Sequence, residues 1–176
     1  MVLWINRETI NESTFGKKKF CKYRDILIVQ ESTLKRFNCR SQDLNADIVI
    51  SDEIYHLMSG TIIRIGIWTF QLTFHCEPCS KIKHLGKLKD FIGDRGYLCE
   101  PISEKTVYIG DMVEVLSEPV IPLFSHVAKE RVIDYIESVR ETTFLDVVKN
   151  AGLSKSYCRS IPSMIRNRKD LLIRIK

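Results

Sequence analysis

Six short runs rich in β-branched and aromatic residues crowd the first 118 positions: Asp25–Gln30, Ala46–Ser51, Thr61–Ile65, Ile67–Phe74, Lys105–Ile109 and Met112–Leu116. Such residues suit a pleated, half-buried surface, and runs this short cannot make long helices. Gly60, Gly66, Glu77-Pro78 and Gly110-Asp111 punctuate them, and seven of the eight glycines lie in this region. The pattern predicts a small β-barrel or sandwich with little helix. Trp68 and Phe70 belong to its expected core. One helix is expected over about Lys81–Ile92, stopped by Gly93.

The pattern then changes. Pro119 and Pro122 bracket a segment that can join neither a helix interior nor a central strand, so 119–125 reads as a linker. Beyond it Val127, Ala128, Val132, Tyr135, Ile136 and Val139 recur at helical spacing. A second helix is expected from Thr143, with Asp146 as its capping partner, to Gly152. A third starts at Ser154 and should be kinked or shortened by Pro162. The expected organisation is a β domain over 1–118, a linker, and a small α-helical, helix-turn-helix-like domain over 126–176.

Charge follows the same division. Residues 1–125 hold 16 Lys and Arg against 16 Asp and Glu, whereas residues 126–176 hold 11 against 6. From Lys155 onward Lys155, Arg159, Arg166, Arg168, Lys169, Arg174 and Lys176 face a single acid, Asp170. Such asymmetry points to an anionic partner, DNA or RNA first, met through residues 154–176. Lys155 and Arg159 would meet phosphates or a base edge, with Arg166, Arg168 and Lys169 on the backbone. No apolar stretch is long enough to span a bilayer, and the N-terminus lacks the layout of a signal peptide. A cytoplasmic protein without membrane contact is expected, its six cysteines reduced.

Chemistry concentrates in His75-Cys76-Glu77-Pro78-Cys79, where two thiols follow the Ile67–Phe74 run. Pro78 makes this segment a turn rather than more strand. A cysteine displayed there, beside Lys81, Lys83 and His84, has the exposure and positive surroundings that a thiolate needs. Cys79 is the candidate reactive residue, aided by the start of the following helix. Three alternatives stay open: a zinc site of His75, Cys76, Cys79 and His84, a Cys-x-x-Cys redox pair, and two thiols with no chemical role.

Three motifs, in order, carry a resemblance to the MOSC domain, named from the C-terminal part of molybdenum-cofactor sulfurases. They are Gly60-Thr-Ile-Ile-Arg-Ile-Gly66, then Glu77-Pro78-Cys79, then Arg95-Gly96-Tyr97 followed by Val107-Tyr108-Ile109-Gly110-Asp111. The resemblance covers about Phe15 to Leu116. It implies a small, mostly antiparallel β-barrel and sulfur- or molybdenum-cofactor-related work, with Cys79 as the functional residue. A sulfur carrier fed by a cysteine desulfurase, a sulfur transferase, or an enzyme holding the molybdenum cofactor would each fit. The cofactor's phosphate is then expected among Lys81, Lys83 and Arg95.

The last 50 residues resemble the DNA-binding winged helix-turn-helix of alkylguanine-DNA alkyltransferases. Thr142-Thr143-Phe144, Ala151-Gly152-Leu153 and Tyr157-Cys158-Arg159-Ser160-Ile161-Pro162 carry that likeness. It implies that Arg159 enters DNA and that Phe144 lies on the base side. No cysteine follows Cys158, so the family's Pro-Cys-His-Arg acceptor motif is absent and alkyl transfer by that mechanism is excluded. A DNA-binding or merely structural relic remains, and the alternative to the sulfur-carrier reading is a non-enzymatic nucleic-acid-binding or regulatory protein in which the barrel senses or scaffolds.

Overall fold

Seven strands form one sheet in the order β1-β3-β2-β6-β5-β4-β7. They are β1 (Val2–Ile5), β2 (Ile26–Gln30), β3 (Ile48–Ile50), β4 (Ile62–Ile65), β5 (Trp68–His75), β6 (Tyr97–Pro101) and β7 (Val113–Ser117). The computed structural model describes residues 1–6, 21, 23–103 and 106–176. The chain divides into two compact units: Met1–Lys18 with Tyr23–Phe124, and Lys19–Lys22 with Ser125–Lys176.

The sheet is mixed. Every pairing is antiparallel except β2 with β3. A parallel pair needs a crossover, here made by α1 (Glu31–Phe37) and α2 (Ser41–Leu44), two helices that the strand-rich pattern did not suggest. β2 and β3 are buried at every position. Their side chains alternate between two cores, Ile26, Ile28, Ile48 and Ile50 in one, Leu27, Val29 and Val49 in the other. Trp68 and Phe70, as expected, lie in the first.

The two ends of the sheet meet. The Val2 N–H donates to the Asp111 carbonyl (2.8 Å) and the Gly110 N–H to the Val2 carbonyl (3.0 Å), tying β1 to the segment just ahead of β7. The sheet is therefore curled into a half-barrel. At the β4–β5 hairpin, Gly66 has φ +59°, and a Cβ there would lie 2.3 Å from the Asp111 carboxylate. No side chain fits.

Four expectations need correction, and one set of contacts falls on the expected linker. β1 and β6 are strands that the pattern missed. Residues 106–109 are not strand, and Lys105 lies outside the described residues. The helix expected over Lys81–Ile92 is two 3₁₀ segments, Ser80–Leu85 and Leu88–Phe91, separated by Gly86 at φ +147°. Ile82, Leu85, Leu88 and Phe91 recur every three residues and all pack into the second core, which is the 3₁₀ period. Finally, the chain is anchored before position 125: the Leu123 N–H donates to the Ser59 carbonyl (2.9 Å), and the Phe124 ring packs on Tyr23 and Phe74.

The second unit carries its own core of Val132, Ile136, Val147, Val148, Leu153, Ile161, Ile165 and Leu171. Its helices are α3 (Ala128–Ser138), α4 (Phe144–Asn150), α5 (Ile161–Met164) and α6 (Lys169–Leu172), with a 3₁₀ segment, Lys155–Ser160, ahead of α5. Thr143 caps α4 by accepting from the Asp146 N–H (3.1 Å), and Gly152 at φ +71° follows its end. Pro162 stands in the first turn of α5, where no intrahelical N–H is needed, so it starts a helix rather than kinking one. Buried Arg131 bonds the carbonyls of Ala151 (2.9 Å) and Ser125 (2.7 Å).

Candidate functional site

β5 delivers the two thiols to different environments. The Cys76 N–H continues the β5–β6 pairing by donating to the Gly96 carbonyl at 2.8 Å. Its thiol is 2 % exposed, and Arg24 Nη2 donates to Sγ at 3.4 Å. Burial pushes the Cys76 thiol up, with Arg24 and Arg95 pulling the other way. Cys79, three residues on, is only half-buried and directly precedes the first 3₁₀ segment.

Residues 76–79 are neither strand nor hydrogen-bonded turn, contrary to the turn expected from Pro78. Side chains hold the segment instead. The Glu77 carboxylate pairs with Arg24 Nη1 at 2.9 Å, and the Glu77 carbonyl accepts from Arg95 Nη1 at 2.5 Å. Arg95 is thereby turned inward, 5 % exposed, and its Nε has no hydrogen-bond partner among the described residues. Lys81, Lys83 and His84 are exposed. The residues present fit an anionic, thiol-ligated cofactor in part: Cys79 is the donor, Lys81 and Lys83 are available charges, and Arg95 supports the backbone behind them.

The zinc alternative does not assemble. His75 is half-buried, with Nε2 at 3.0 Å from the Tyr55 carbonyl and its ring edge-on to Tyr97 at 4.8 Å. Among the described residues no group of three or more His, Cys, Asp or Glu could hold a metal ion.

Sequence reasoning missed Arg24 and Tyr55. The Tyr55 hydroxyl accepts from the Gln30 N–H (3.1 Å) and lies 3.2 Å from the Thr33 hydroxyl, which also reaches the Asp94 carbonyl at 3.1 Å. Burial pushes Tyr55 up to about 12. Asp94 also pairs with Arg36 on α1, so the Asp94-Arg95 pair serves the scaffold, one residue outward and one inward. No sequence motif marks Arg24; only the fold brings it to Glu77.

In the helical unit the expected nucleic-acid residues separate. Arg168 pairs with Glu137 (2.7 Å) and Asp170 (2.9 Å). Hydrogen bonds to both raise its pKa further. Arg174 Nη1 donates to the carbonyls of Ile136, Glu137 and Val139, capping α3. Lys155, Arg159, Arg166 and Lys169 are exposed and belong to none of the ion pairs among the described residues.

The curled half-barrel is a YiiM/MOSC-like fold. Its likeness among solved structures is to the crystal structure of YiiM from Geobacillus stearothermophilus. The TM-score is 0.51 at 14% identity, over 82% of this chain and 80% of that one. A crystal structure described only as a hypothetical protein matches with TM-score 0.51 at 15% identity, over 84% and 76%. That of YiiM from Escherichia coli gives 0.48 at 15%, over 84% and 78%. At these identities the likeness speaks to the fold alone. No protein-family model and no curated protein matches the chain. No helix among the described residues is long and apolar enough to cross a membrane.

Proposed function

We propose that the first unit is a sulfur carrier of the MOSC type, with Cys79 as the sulfur-accepting residue. The observation that carries this is the contrast between the two thiols: Cys76 is sealed in the core, whereas Cys79 meets solvent on a segment braced by Arg24 and Arg95. The Cys79 thiolate attacks the outer sulfur of a donor persulfide, such as that on a cysteine desulfurase. A new S–S bond forms to Cys79, the donor's S–S bond breaks, and the donor leaves as a thiolate. Exposed Lys81 and Lys83, two and four residues past Cys79, offer positive charge to an anionic persulfide. A bound molybdenum cofactor would supply redox chemistry at the same place, with Cys79 as its thiolate ligand and Lys81 and Lys83 near its phosphate.

Intact-mass analysis after incubation with a cysteine desulfurase and free cysteine tests the carrier reading. Wild type is expected to gain one sulfur atom, reversed by a thiol reductant, and Cys79→Ser to gain none. Equal gain by both proteins, or by neither, removes it.

A second reading has its own observation. Lys155, Arg159, Arg166 and Lys169 are in no ion pair among the described residues, while Arg168 and Lys176 are held by carboxylates, which favours nucleic-acid contact by the helical unit. Duplex binding should then weaken steeply with salt. Binding unchanged in Arg159→Ala combined with Arg166→Ala would sink it.

A further inference from the structure

The basic residues of the helical unit are sorted by the fold. Arg168 is held by Glu137 and Asp170, Lys176 by Glu141, and Arg174 by three carbonyls. Two that are left, Lys155 and Arg159, are exposed and line one cavity of about 550 Å³ together with Ser156 and Cys158. No carboxylate is among these lining residues. Arg166 and Lys169 lie outside it.

Exposed Lys155 and Arg159, in no ion pair among the described residues, place positive potential at this open surface depression. A guanidinium offers a planar fork of donors and an ammonium a compact charge, a combination suited to the tetrahedral oxyanion of a phosphate. The Ser156 hydroxyl, 2.7 Å from that of Ser154, is a further donor or acceptor. The Cys158 thiol and the aliphatic stems of Lys155 and Arg159 supply apolar wall.

We propose that this cavity binds a phosphate group carried on an organic moiety, either a free nucleotide or one phosphodiester of a nucleic-acid strand. In its strand form the proposal rests on the second reading above; in its nucleotide form it stands without that reading. Cys158 reports occupancy. Its thiol is half-buried in the wall, donating to the Phe144 carbonyl at 3.7 Å, so a ligand seated there covers it.

The test is the rate of iodoacetamide labelling at Cys158 in the full chain, resolved by peptide mass spectrometry. Labelling is followed at low salt with inorganic phosphate, thymidine 5′-monophosphate or a duplex oligonucleotide. A several-fold slowing by at least one of the two organic phosphates is expected. Lys155→Ala combined with Arg159→Ala should lose it with the far-UV spectrum unchanged, and Arg159→Glu alone serves if that pair perturbs folding. Slowing by the nucleotide without measurable duplex binding keeps the cavity and removes the nucleic-acid reading. Salt-dependent duplex binding that leaves Cys158 labelling unchanged overturns the cavity and keeps that reading. No protection by any ligand, protection by inorganic phosphate alone, or equal protection in the variants also overturns the proposal.

Discussion

Single residues carry the first consequences. Gly96 has φ +139°, and a Cβ there would meet Leu27 Cδ1 at 2.7 Å and the Ile28 carbonyl at 3.0 Å. Gly96→Ala combines backbone strain with a clash against β2 and should cost about 2–4 kcal/mol, read from denaturant midpoints. Cys79 should label with iodoacetamide in the native protein, whereas Cys76 should label only after unfolding; equal native rates would contradict the buried setting. Tyr55, pushed from 10.0 up to about 12, gives a pH dependence of definite sign. Its folded pKa lies above the unfolded one, so its contribution is complete below pH 10 and disappears as pH rises through about 12. A loss of about 2–3 kcal/mol across that window is expected, smaller in Tyr55→Phe. Burial raises Tyr97 as well and acts in the same direction.

At the level of elements, α4 offers the cleanest measurement. The Thr143 hydroxyl accepts from the Asp146 N–H and is 2.7 Å from the Asp146 carboxylate, so Thr143→Ala should cost the helical unit about 1 kcal/mol. Thr143 and Gly152 bounded this helix in the sequence because both act locally, as did the β-branched runs that became β2, β3, β4, β5 and β7. What failed was non-local. β6, Tyr-Leu-Cys-Glu-Pro, has no alternation of its own and is strand because β2 and β5 flank it. The three-residue spacing of Ile82, Leu85, Leu88 and Phe91 was visible, but four apolar residues in ten also fit an α-helix until Gly86 divides them. The site divided in the same way. Cys79 was legible from Pro78 and the flanking lysines. Arg24 was not, because 52 residues separate it from Cys76. The bond from Arg95 to the Glu77 carbonyl was not legible either, since sequence cannot say which way a guanidinium points.

For the whole molecule, two units with separate cores give separable reporters. Both tryptophans, Trp4 and Trp68, belong to the first unit, while α3 to α6 belong to the second. Thr143→Ala should therefore lower the midpoint of a helical transition in far-UV circular dichroism and leave the tryptophan-fluorescence midpoint in place. A common shift in both signals would show that the two cores unfold together. The hydrogen bonds between Val2 and the Gly110-Asp111 pair have a temporal meaning too. The first strand finds its last partner only after more than a hundred further residues exist, and loop closure over that span is entropically slow. On the ribosome β1 must wait, its partner β3 already made, until Asp111 leaves the exit tunnel. The curl of the sheet is then closed late, by a strand made more than a hundred residues before its last partner.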